Sequence, residues 1–94
     1  MIPEQITSDE SERIIRTAQR YADEIIRGVV SPYDGSRRIW RECQLELKKG
    51  DHRLDPFVYW ASEYEETSDK ERHALCEKAL RHAAALLVQH GSAV

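Results

Sequence analysis

Few residues in this chain could do chemistry, and the densest group of them is His73, Cys76 and Glu77. On a helix these positions, i, i+3 and i+4, share a face and could offer imidazole, thiolate and carboxylate to a metal ion. A zinc site needs four such ligands, or three with an open position. His52, His82 and His90 stand at no spacing that completes the set. The expectation is therefore no metal, with Cys76 in a core and His73 at its solvated edge. A di-metal carboxylate centre needs Glu-x-x-His on two helices, and the chain has no such tetrapeptide.

Nucleophilic chemistry is no better supported. Asp34-Gly35-Ser36 lacks the strand-to-helix elbow that exposes a nucleophilic serine. Cys43 and Cys76 could meet a histidine in space, but at core positions they read as small buried hydrophobes. The glycines stand singly, so no phosphate-cradling loop is expected. Glu63 and Glu66 have the types for acid and base, yet their face looks open to water. The reading is a non-enzyme without a cofactor.

Two charged surfaces remain. One is basic: Arg37, Arg38, Arg41 and Lys48 on one helix face, continued by Lys49, His52 and Arg53. It could grip phosphates or an acidic partner, or simply face the chain's own acidic third helix. The other surface is acidic: Tyr59 with Glu63, Glu65 and Glu66, followed by Asp69 and Glu71. A tyrosine ringed by carboxylates suits a basic protein partner, because tyrosine is enriched among interface hot spots and opposite charge speeds encounter. In the competing reading, Leu54 and Tyr59 staple a helix start, and the acids simply favour the positive end of the next helix dipole.

The elements that position these residues follow from size and pattern. With 94 residues there is room for one domain, 1–94, with a loose segment at 1–6. The net charge of −3 lacks the positive excess that phosphate binding demands, so a nucleic-acid role is the lesser alternative. The longest apolar run, Ala83 to Val88, is far too short to span a membrane. The opening MIPEQITSDESER has no basic segment followed by an apolar one, so no secretory signal is expected. Two cysteines form no disulfide framework, and the chain reads as cytoplasmic.

Punctuation divides the chain into four helices, at about 8–28, 32–49, 56–66 and 69–90, with no strands. Thr7 and Glu10 have capping-box spacing. Ile15, Ala18, Ala22, Ile25 and Val29 then recur at helical steps, flanked by Ile14, Tyr21 and Ile26. Glu12 with Arg16, Arg20 with Glu24, and Asp23 with Arg27 are spaced for i,i+4 pairs. Gly28 ends the first helix, and Ser31-Pro32 caps and opens the second, although Asp34 is an alternative start. Ser36, Ile39, Trp40, Cys43 and Leu47 form its inner face, and Gly50 stops it. Asp55-Pro56 repeats the cap-then-proline device, with Phe57, Trp60, Ala61 and Tyr64 inward. Ser68 and Glu71 form a second capping box before a broad apolar side of Leu75, Cys76, Ala79, Leu80, Ala83, Leu86 and Leu87. This is an all-α class, a compact bundle of four helices. Because Ala83 to Val88 is apolar all round, that stretch either crosses the bundle centre or meets another chain, a second copy included.

One stretch carries a resemblance. Ile25-Ile26-Arg27-Gly28, then Ser31-Pro32-Tyr33-Asp34-Gly35-Ser36-Arg37-Arg38-Ile39-Trp40, resembles a small bacterial helical family marked by Gly, Pro, a second Gly, a small residue and Ile-Trp. Pro56-Phe57-Val58 through Ala61-Ser62-Glu63 is similar to its second block. The likeness covers roughly residues 15 to 75. The family is functionally unassigned, with some relatives reminiscent of immunity proteins beside toxins, so the likeness implies a bacterial origin, the helical fold, and through those relatives a regulatory or neutralising role. It implies no catalytic residues.

Overall fold

A computed structural model describes residues 3–92, and the side chains of residues 10–89. Four α-helices follow one another: α1 (Pro3–Ile26), α2 (Pro32–Glu42), α3 (Asp55–Glu66) and α4 (Lys70–Ser92). A single 3-10 turn, Gln44–Glu46, follows α2, and the described residues contain no strand. The all-α expectation holds. Each helix packs on its sequence neighbours, α4 returns to α1, and α2 also reaches α4, so the four close into a bundle.

The boundaries show which local signals act. α1 is already under way at Thr7, so the Thr7–Glu10 pair does not mark its start. Residues 3–6, expected to be loose, are helical, whereas residues 1–2 lie outside the described residues. At the other end Gly28 takes φ +77°. Its N–H donates to Ile25 O at 3.1 Å and that of Val29 to Glu24 O at 2.9 Å, the paired bonds of a Schellman stop. Ser31 caps α2 as expected, its Oγ accepting from Asp34 N at 3.0 Å with Pro32 behind it. α2 ends at Glu42 rather than near Lys49. The chain then turns through the 3-10 segment, and Leu47 takes extended backbone while still packing against the core. Gly50 therefore serves a turn, with φ +99°, and stops no helix. Asp69, not Ser68, caps α4 by accepting from Arg72 N at 3.3 Å. Asp55 is the first residue of α3 and makes no cap; its carboxylate pairs with His52 Nδ1 at 2.8 Å.

The core draws on every helix: Ile15, Ala18, Ala22 and Ile25 from α1, Ile39 from α2, Phe57 from α3, and Leu80, Ala84 and Leu87 from α4. Cys43 and Leu54 join from just outside α2 and α3. Val29, expected on the α1 stripe, lies beyond the helix end and is 63% exposed. Small residues set how closely helices approach. A Cβ on Gly35 would stand 2.5 Å from Ile25 Cγ1 and 2.7 Å from its Cδ1, so only glycine lets α2 seat on α1 there. Ser36, next to it, is fully buried, and its hydroxyl has no hydrogen-bond partner. The Gly-Pro-Gly-small-Ile-Trp pattern thus has a folding explanation at each of its first four positions: a helix stop, a helix start, a close approach and a buried small side chain.

Helix length decides what stays open. α4 is roughly 35 Å long and α3 roughly 18 Å at 1.5 Å per residue, so α3 covers only part of α4. In the segment that is apolar all round, Ala84 and Leu87 are buried while Leu86 is 44% exposed. That segment therefore does not run through the bundle centre; one side remains uncovered.

Candidate interaction face

The four acidic-face residues do not stay together. Tyr59, Glu63 and Glu66 stand at i, i+4 and i+7 on α3 and share a face. Glu65 points to the other side, toward α2. There its Oε2 accepts from Tyr33 Oη at 2.6 Å and from Arg37 Nη1 at 2.8 Å. Glu63 faces α4 and accepts from Arg72 Nη2 at 2.5 Å. Among the described residues Glu66 has no ion pair, and Tyr59 is 55% exposed with its ring edge-on to Trp60 at 4.9 Å.

The Glu63–Arg72 bridge locates a residue that sequence reasoning missed. Leu75 lies one turn after Arg72 on α4, and Tyr59 one turn before Glu63 on α3. The two helices are separated by a three-residue link and pack side by side, with Pro56 and Trp60 lining the same groove as Ala79 and Ala83, so they run antiparallel. Both steps therefore go the same way along the bundle. Tyr59 and the half-exposed Leu75 flank the ion pair on one side, with Glu66 and Glu71 at the border. Leu75 was hidden in the sequence because it fell within a broad apolar arc. The arc is wider than the core can cover.

The opposite side of α3 is a closed corner. Arg37 Nη1 donates to Tyr33 Oη at 3.0 Å, Tyr33 stacks on Tyr64 at 4.7 Å, and Tyr64 stacks on His73 at 4.0 Å. His73 Nε2–H donates to Tyr64 O and Thr67 O, at 2.9 and 2.6 Å, and so satisfies carbonyls at the end of α3. The Tyr33 hydroxyl, then Arg37, hold the Glu65 carboxyl below the usual carboxylate range; the Glu65 hydrogen bond, then burial, push the Tyr33 phenol up. These groups fasten three helices together.

The basic face is divided in the same way. Arg37 is spent on Glu65, which matches the expectation that this face could meet the chain's own acidic helix. Arg38 lies over the Tyr21 ring, 5.7 Å from its centroid, and Tyr21 Oη donates to Glu42 at 2.5 Å. Lys48 is not on α2 at all but in the following turn, where its carbonyl accepts from Asp51 N at 3.0 Å. Arg41 and Lys48 are exposed and have no ion pair among the described residues. Further on, Arg53 is held by Asp51 and Glu12, and its hydrogen bonds keep the Asp51 carboxyl low. Glu12 therefore does not pair with Arg16. Of the three expected i,i+4 pairs, Asp23–Arg27 forms, at 2.8 Å.

The chemistry-bearing residues do not converge. Among the described residues no three of His, Cys, Asp and Glu could hold a metal ion. His73 is turned to backbone carbonyls, while Cys43 and Cys76 are fully buried free thiols. Burial pushes Cys43 up to about 11 and raises Cys76, which keeps both as unreactive thiols near neutral pH. No described helix is long and apolar enough to cross a membrane. Comparison with known proteins finds no family model, curated protein or solved structure that matches this chain.

Proposed function

We propose that this chain is a non-catalytic protein-interaction module that docks a basic protein on its α3–α4 face. One observation carries the reading: Tyr59 and Leu75, 55% and 46% exposed, each stand one helical turn from the Glu63–Arg72 bridge. Interfaces concentrate their energy in such aromatic anchors, inside a polar rim. The Tyr59 ring packs edge-on against Trp60, a contact that reduces the freedom it loses on docking. Glu66 and Glu71, without ion pairs among the described residues, supply rim charge for a basic partner. A neutralising or regulatory role fits this chemistry and agrees with the resemblance to immunity-type proteins. Glu65 takes no part in docking, since it belongs to the closed corner.

The test is affinity capture with four baits: wild type, Tyr59→Ala, Leu75→Ser and Glu66→Lys, each checked for helicity by circular dichroism. The expected result is one basic protein held in stoichiometric amount by wild type and lost or sharply reduced with each variant. A partner held equally by all four baits overturns the assignment. Accessory nucleic-acid binding is a second reading, supported by the exposed Arg41 and Lys48. It requires retention on DNA or RNA that falls steeply with salt.

A further inference from the structure

On the side of the bundle that α2 does not reach, α1, α3 and α4 leave an open groove of about 800 Å³. It arises where short α3 begins against the long α1–α4 pair. Ile15, Phe57, Trp60 and Leu86 supply apolar surface, and the small Ala79 and Ala83 keep the α4 wall recessed. Small-ligand sites have this character: about 300–1,000 Å³, aromatic and aliphatic walls, and a few polar groups that set orientation.

Most polar groups on the rim are already committed. Arg53 is ion-paired with Asp51 at 2.7 Å and Glu12 at 3.0 Å. Gln19 Nε2 donates to Leu87 O at 3.1 Å, tying α1 to α4. Among the charged lining residues described, Arg16 is the exception. Its sequence partner Glu12 has gone to Arg53, and Arg16 has no ion pair among the described residues. A permanently charged guanidinium with five N–H donors thus stands on the lip of an apolar trough with no counter-charge among the described residues. His82, across the groove on α4, adds another ring donor.

We propose that this groove binds a small organic acid with an apolar tail. The carboxylate meets Arg16, and the tail lies along Trp60 and Leu86. A neutral apolar molecule would leave the guanidinium uncompensated while drying its surroundings, and a cation would be repelled by it. Neither Tyr59 nor Leu75 lines the groove, whereas Trp60 lines it and also meets the Tyr59 ring.

The probe is sodium decanoate below its micelle concentration, titrated into the full chain by calorimetry, with decyltrimethylammonium as the charge-inverted control. The proposal predicts saturable binding of one decanoate, and affinity for the ammonium probe weaker by roughly tenfold or more. Arg16→Gln, at an exposed position, lowers decanoate affinity roughly tenfold while helicity is unchanged. Leu86→Glu abolishes binding. No saturable decanoate binding, equal affinity for the two probes, or unchanged affinity in Arg16→Gln each overturns the proposal. So does sedimentation showing a dimer that Leu86→Glu dissociates and decanoate leaves intact, because the groove would then belong to a second copy of the chain.

Discussion

The two sides of this bundle differ in how completely they spend their polar groups. On the α2 side, Arg37, Glu65 and Tyr33 satisfy one another, and the Tyr33–Tyr64–His73 stack ties α2, α3 and α4 together. On the sides facing away from α2, Tyr59, Leu75 and Leu86 stay half-exposed, and Arg16 and Glu66 have no ion pair among the described residues. The contrast separates charges that build the fold from groups left available to meet something else. A carboxylate beside a tyrosine looks the same in sequence in both places. Only its partner decides which kind it is.

The largest way to break the comparison is at the α2 seat. Gly35→Ala pushes a methyl group against the buried Ile25 side chain. It should lower stability by roughly 1–3 kcal/mol, read as a reduced urea midpoint at unchanged slope. Ser36→Ala acts at the neighbouring position in the opposite direction. It removes a buried hydroxyl that has no partner and should raise stability by up to about 1 kcal/mol. A loss of stability there would show that the hydroxyl has a partner in solution.

Acid sharpens the contrast further. Glu65 and Asp51 are both held low by hydrogen bonds, from Tyr33 and from Arg53 respectively. The folded chain therefore binds these protons more weakly than the unfolded chain does. The stability they contribute is complete above the unfolded carboxylate value of about 4 and is lost as pH falls through the lower folded values. Glu65→Gln should flatten the stability decline in that acid window and leave the open side untouched. The smallest effect belongs to Arg16→Gln, whose urea midpoint should correspond to a change within about 0.5 kcal/mol of wild type.

Much of the architecture was legible because local chemistry dictates it. Ser31-Pro32 and Gly28 start and stop helices by side-chain capping and left-handed backbone, and both act as their types require. The end of α2 was not legible. The step from Cys43 to Leu47 fits a helix, yet Leu47 reaches the core on extended backbone. Charge pairing was the least legible feature. Helical spacing pairs Glu12 with Arg16, four residues away, but Glu12 binds Arg53; Arg37 reaches Glu65 across 28 residues of chain. Spacing along one helix cannot reveal a better partner that tertiary packing brings close. Tyr59 was identified from its type and its acidic neighbours, while Leu75 needed the α3–α4 register to place it beside the Glu63–Arg72 bridge.

The most direct test of the division between the two sides compares two single variants, Tyr59→Ala and Glu65→Gln, in one titration with the captured partner and one urea unfolding curve each. Tyr59→Ala should cost roughly tenfold or more in affinity with stability nearly unchanged. Glu65→Gln should lower stability and leave affinity at the wild-type value. The reverse outcome, with Glu65→Gln losing the partner and Tyr59→Ala binding normally, would contradict the account.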